Sequence, residues 1–225
     1  MKRALFCVTF ILYLLPQTAL AQQPLDEKPF EIGGQLVSIE LARLKSEVTG
    51  PDGITRDADN FKMERFGIGG RFGYNLNRAL SLEAEGNYFP RWNRFGPERK
   101  AQFFAGIKAG IRKEMFGVFA KARPGLMHFA SISLHENCSI STITPAPGTL
   151  APINCVPLKQ TNFAFDLGGV VEYYPTERTI IRFDAGDTII HFRKMGPTQL
   201  FNYSVFTPAA TTHNFQCSLG FSIRF

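Results

Sequence analysis

Four histidines, His128, His135, His191 and His213, are the chain's candidates for moving a proton. Ser131 and Ser133 follow the first of them, and Glu136 follows the second. A hydroxyl nucleophile, an imidazole base and a carboxylate are the components of acyl transfer, provided a fold brings them within hydrogen-bond reach. No motif fixes that geometry here, and hydrated loops are rich in the same residue types, so the chain is read as not an enzyme. Asp52, Asp57, Asp59 and Asn60 offer oxygens for calcium, but their spacing matches no loop that wraps that ion. Cys138, Cys155 and Cys217 match no zinc spacing. No metal and no cofactor is expected.

A second polar set has a regular spacing. Arg71, Glu83, Glu85, Lys108, Lys121, Arg123, Asp166, Glu172, Arg182 and Asp184 each sit on one parity of a segment whose other parity is apolar. Period two is the signature of a strand with two unlike faces. The pattern predicts eight strands, over about 30–42, 65–75, 79–89, 101–112, 116–128, 161–174, 178–190 and 215–225. In the last, Phe215, Cys217, Leu219, Phe221, Ile223 and Phe225 oppose Gln216, Ser218, Gly220, Ser222 and Arg224. In the first, the apolar parity changes from Phe30, Ile32 and Leu36 to Val37, Ile39 and Leu41, which predicts a bulge near Gly33-Gly34.

The connections alternate. Three are hairpin-sized (75–78, 113–115 and 175–177), and four are long (43–64, 90–100, 129–160 and 191–211). Short periplasmic turns and longer extracellular loops are the mark of an outer-membrane barrel, and closure leaves no unpaired edge in hydrocarbon. Met1-Lys-Arg, the apolar run Ala4 to Leu15 and Ala19-Leu-Ala21 read as a signal peptide, with cleavage after Ala21. This divides the chain into 1–21, the signal, and 22–225, one barrel domain. Both termini are then periplasmic. The formal charge of +6 includes Lys2 and Arg3, and the remaining surplus is spread out, so no nucleic-acid partner is expected.

In a membrane barrel the apolar row faces lipid and the charged row fills the lumen. An eight-stranded barrel has room inside for side chains only, so the ten charges are expected to interdigitate as an ion-pair network. Tyr74, Tyr88, Phe89, Trp92, Tyr173 and Tyr174 fall near strand ends, where aromatic girdles belong. Cys217 lies on the lipid-facing row as a small apolar group. A disulfide between Cys138 and Cys155 would staple the third long loop, whose Pro145-Ala-Pro147 stretch reads as extended.

The ending Gly220-Phe-Ser-Ile-Arg-Phe225, the segment Ile181 to Thr188 and the eight alternating strands resemble the small outer-membrane β-barrel family that includes the OmpA transmembrane domain and OmpX. The resemblance covers nearly the whole chain after residue 21. It implies an all-β, eight-stranded antiparallel transmembrane barrel. It also implies that Gly220, Phe221, Ile223 and Phe225 act as a signal to the barrel-assembly machinery, a transient partner. No peptidoglycan-binding domain is expected after the barrel, so cell-wall anchoring is not implied. The expected protein is a monomer in the outer membrane, in contact with its lipid, with a structural or surface-interaction role. A narrow pore for ions or small solutes, a soluble lipocalin-like binder and a rim-located lipid-modifying enzyme are the alternatives.

Overall fold

The computed structural model describes residues 28–42, 44–59, 63–91, 99–130, 136–140, 153–157, 159–200 and 203–225, and within them the chain is all-β. In chain order the strands are β1 (Phe30–Leu41), β2 (Lys45–Thr49), β3 (Thr55–Asp59), β4 (Met63–Asn75), β5 (Leu80–Phe89), β6 (Lys100–Arg112) and β7 (Phe116–Phe129). They continue as β8 (Glu136–Ile140), β9 (Ile153–Pro157), β10 (Gln160–Tyr173), β11 (Thr179–Phe192), β12 (Met195–Leu200), β13 (Tyr203–Thr207) and β14 (Ala210–Arg224). The eight long strands close a barrel in the order β1-β14-β11-β10-β7-β6-β5-β4. All of its pairings are antiparallel. The predicted signal segment 1–21, Trp92, Ser131, Ser133, His135 and Pro145–Pro147 lie outside the described residues.

Alternation places the faces. The outward row carries Ile32, Leu36, Ile68, Phe103, Ile107, Val118, Leu126, Phe163, Phe183, Leu219 and Phe221, all exposed. An apolar exterior of this extent is a surface for lipid, so the soluble-binder arrangement, with its apolar row inside, is not the one this chain adopts. The consequence is testable on one strand. Leu219 is 56 % exposed, and its neighbour Ser218 is buried in the lumen. Leu219→Arg is expected to destabilise the barrel by about 2–4 kcal/mol in a bilayer, read from the urea midpoint in lipid vesicles.

The seam between the first and last strands is hydrogen-bonded to its end. Phe30 N donates to Phe225 O at 3.1 Å, and Phe225 N donates to Phe30 O at 2.9 Å. Their rings stack at 6.0 Å, and the Phe30 ring also meets Tyr74 at 5.1 Å. This cluster sits at the turn end of the barrel, where an aromatic girdle meets the membrane interface.

The predicted bulge in β1 is absent. Its register against β14 runs without a shift from Glu31↔Arg224 to Glu40↔Phe215, and that against β4 from Phe30↔Tyr74 to Leu41↔Met63. The odd residues of β1 face inward throughout. Parity does not change; the chemistry of the lumen does. Val37, Ile39 and Leu41 are apolar because the interior they enter is apolar.

The register also explains Cys217. It pairs with Ala185 on one side and Ser38 on the other. Ala185 pairs with Gly169, Gly169 with Ala120, and Ala120 with Ala109. A continuous belt of small outward residues thus crosses six strands, and the thiol is one more small member of it.

The long connections carry structure of their own. The six short strands form a second sheet in the order β3-β2-β13-β12-β8-β9, which extends from the extracellular end of the barrel. The sequence reading treated these stretches as loops, because five-residue strands leave too few alternations to read. At the β2–β3 tip, Gly50-Pro-Asp-Gly53 makes the turn. Gly53 has φ of 73°, a region that favours glycine, and Gly53 N donates to Gly50 O at 3.0 Å.

Candidate functional site

All ten charged residues of the even-spaced set face the lumen and are buried. Their period-two spacing draws them from six strands, β4, β5, β6, β7, β10 and β11, into one lumen. Arg182 on β11 donates from Nη2 to Asp184 at 2.8 Å and to Glu83 at 2.9 Å, and its Nη1 also contacts Glu83. Glu83 is on β5, four strands from β11 in either direction around the barrel, so this pair spans the diameter. Arg123 on β7 binds Asp166 through Nε at 2.8 Å and Glu85 through Nη1 at 2.7 Å. Lys108 on β6 binds Glu172 at 2.5 Å and Glu83 at 3.1 Å. Lys121 reaches Asp166 at 3.0 Å, and Arg71 reaches Asp184 at 3.1 Å.

Five cations and five carboxylates make up this set, so its formal charge cancels. The lumen is therefore held by multiply bonded pairs, the only arrangement in which buried charge is tolerable. One glycine makes room for it. A Cβ on Gly220 would sit 2.6 Å from Arg71 Nη2.

Sequence reasoning missed a second group at the periplasmic end. Glu31 accepts from Arg224 Nη2 at 2.8 Å and from Asn75 Nδ2 at 2.8 Å, and lies 3.5 Å from Arg112. Parity was the signal that could have found it, since Glu31 and Arg224 continue the inward rows of β1 and β14.

Above the charges lies a different layer. Val37, Ile39, Leu41, Leu44, Phe89, Phe104, Met127, Phe129, Ala164, Ile190 and Phe192 form one buried apolar cluster at the extracellular end of the lumen. Gln35, Asn87, Gln102 and Gln216 separate it from the ion pairs, with Gln35 Nε2 donating to Asn87 at 2.7 Å and Gln102 Nε2 to Gln216 at 3.0 Å. Gly125 lets the cluster close, because a Cβ there would meet the Phe104 ring at 2.4 Å.

Two of the aromatic residues expected in the girdles are instead inside. Phe89 is part of the apolar cluster, and Tyr174 is buried with its hydroxyl donating to Glu172 at 2.7 Å. Each continues an inward row (Glu83, Glu85 and Asn87 for Phe89; Glu172 for Tyr174), and parity overrides residue type. Tyr74, Tyr88 and Tyr173 are on the outward rows.

The described histidines are at the extracellular rim on outward rows. Nδ1 of His128 lies 2.8 Å from Thr161 Oγ1, Nδ1 of His191 lies 3.0 Å from Thr211 Oγ1, and Nδ1 of His213 lies 2.5 Å from Asp187 Oδ2. In the first long loop, Arg56 donates to Asp52 at 2.8 Å, and this bond holds the Asp52 carboxyl below its usual range. Asp57 is exposed, and Asn60 lies outside the described residues.

β8 and β9 are antiparallel, with Cys138 directly opposite Cys155. Direct opposition on two antiparallel strands is the register a disulfide between them needs. Non-reducing peptide mapping is expected to recover the peptides holding these two residues as one species, with Cys217 alkylated. Two separate, alkylated peptides would exclude the bond.

No family model matches the chain, and no curated protein matches it. Solved structures do. Neisserial surface protein A shares 13% identity, with 87% of this chain and 97% of that chain covered and a TM-score of 0.46. The outer membrane protein OprG of Pseudomonas aeruginosa shares 11%, with 89% and 97% covered and a TM-score of 0.48. Ail, the attachment invasion locus protein of Yersinia pestis, shares 15%, with 86% and 99% covered and a TM-score of 0.35.

Proposed function

We propose that this outer-membrane barrel is a non-catalytic, monomeric scaffold that holds its extracellular sheet toward the surroundings as an interaction surface. The observation that carries this reading is the pairing of a filled lumen with an ordered extension. Ion pairs brace the periplasmic and central lumen, an apolar plug fills its outer end, and six strands continue beyond it. A frame so braced suits presentation better than passage. In this reading residues 1–21 direct export and are removed. Gly220, Phe221, Ile223 and Phe225 are read by the assembly machinery, and Phe225 afterwards holds the seam.

Two measurements test it together. Planar-bilayer recordings of the refolded chain are expected to show no discrete conductance steps. Cells expressing a variant in which residues 46–57 and 137–156 are each replaced by a short turn are expected to keep the heat-modifiable barrel and lose attachment to protein-coated surfaces. Discrete ion steps in the unaltered chain, or attachment that survives loss of these four strands of the sheet, would overturn the reading.

A further inference from the structure

One face of the extracellular sheet is open and regular. Alternation turns Ser46, Val205 and Thr207 to the covered side, where they are buried, and leaves Glu47 and Asp57 exposed on the other. Register aligns the open face in rows across β13, β2 and β3. One row is Ser204, Thr49 and Thr55, with the two threonine hydroxyls 3.0 Å apart. The next is Phe206, Glu47 and Asp57. The half-buried Phe206 ring lies over Gly196 of β12, where a Cβ would come within 2.2 Å of it.

The second row is mismatched within the sheet. On the same two strands Lys45 stands opposite Asp59, a pair of opposite sign. Glu47 stands directly opposite Asp57, and like charges in that position repel. Arg56, between them in neither row, is committed to Asp52 at 2.8 Å. Among the described residues neither Glu47 nor Asp57 has an ion pair or a side-chain hydrogen bond. Among those residues β3 is also the last strand of the sheet, so the row is open beyond Asp57.

We propose that, on the reading of the sheet as an interaction surface, this face docks a basic polypeptide segment of a partner protein, with one arginine laid along the Phe206–Glu47–Asp57 row. Directly opposed side chains begin about 5 Å apart, so one planar guanidinium donates to both carboxylates and relieves their repulsion. Its flat face rests against the Phe206 ring, a contact the compact, strongly hydrated ammonium of lysine makes less well. The hydroxyls of Ser204, Thr49 and Thr55 both donate and accept, which suits the backbone of the segment on either side of that arginine. Two carboxylates beside a ring offer calcium too few oxygens, since that ion takes six to eight.

The test uses the whole chain refolded in uncharged detergent, with fluorescein-labelled hexa-arginine, hexalysine and hexaglutamate as probes, read by fluorescence anisotropy at fixed ionic strength. Hexa-arginine is expected to bind, hexalysine to bind about threefold more weakly, and hexaglutamate not to bind. Glu47→Gln with Asp57→Asn is expected to weaken hexa-arginine binding at least about tenfold, the effect of one charge-assisted bond. Removing the same charge from the periplasmic turns, by Glu114→Gln with Glu177→Gln, is expected to leave it unchanged, and Phe206→Leu to abolish the preference for arginine over lysine. Heat-modifiability confirms folding, and the single carboxylate variants stand in for a double variant that does not fold. Equal hexa-arginine binding by the parent and the Glu47, Asp57 double variant sinks the proposal. An equal loss in the periplasmic double variant does so too, since the attraction would then be non-specific. So does displacement of hexa-arginine by millimolar calcium chloride at the same ionic strength, which would make the ligand a divalent cation. Attachment of cells to protein-coated surfaces reports the sheet's role separately. Attachment lost with the sheet, alongside unchanged hexa-arginine binding in the Glu47, Asp57 double variant, overturns this site and leaves the sheet's role standing.

Discussion

Arg182→Ala is expected to destabilise the barrel by about 3–5 kcal/mol, because removing one partner of a buried pair strands the other. Arg182 is 1% exposed and holds Glu83 and Asp184 together across the lumen. Without it, two carboxylates face each other in a space with little water to solvate them. The double variant Arg182→Met, Glu83→Leu is expected to be more stable than Arg182→Ala, since Glu83 is then gone and Asp184 keeps Arg71 and Lys121. Equilibrium unfolding in urea with lipid vesicles measures both. A single variant within about 0.5 kcal/mol of the parent, the range of ordinary surface changes, would show that the network is solvated and that its bonds contribute little.

Phe104→Ala is the second large effect expected. Phe104 is fully buried in the apolar plug, beside Gly125. Truncation removes a whole ring from a packed layer, at about 3–5 kcal/mol. It also thins the barrier over the amide layer and the ion pairs. The same recordings that find the parent silent are therefore expected to show brief, small openings in this variant. Loss of stability without any openings would place the seal in the ion pairs instead.

The eight strands were legible because lipid and lumen impose opposite chemistries on adjacent residues, and period two survives any detail of packing. The ten lumen charges were legible for the same reason. What escaped was change along the barrel axis. Val37, Ile39 and Leu41 looked like a slipped register, because apolar residues were assumed to face lipid everywhere. Phe89 and Tyr174 were assigned by type when their rows pointed inward. Glu31 and Arg224 stood on correctly read strands, yet only a closed ring of strands brings them together. The extracellular sheet was illegible because its strands are five or six residues long and are held by partners in other loops. The rim histidines stand out in the sequence as bases, whereas their shared use of Nδ1 depends on neighbouring strands the sequence does not name.

The diametric brace has a consequence for how the molecule comes into being. Arg182 and Glu83 are 99 residues apart in the chain, and Glu31 and Arg224, at the seam, are 193 apart. Contacts of such separation form late, after the intervening chain has been ordered. Until then each charge needs water, and bare hydrocarbon would reject the half-made sheet. Insertion and closure must therefore proceed as one event, with an aqueous pocket travelling inside the nascent ring. β14 completes the neutralisation that lets the pocket shrink, since its Arg224 meets Glu31. A chain stalled short of β14 is thus a species with nowhere to go, too charged for the membrane and too apolar outside for the periplasm.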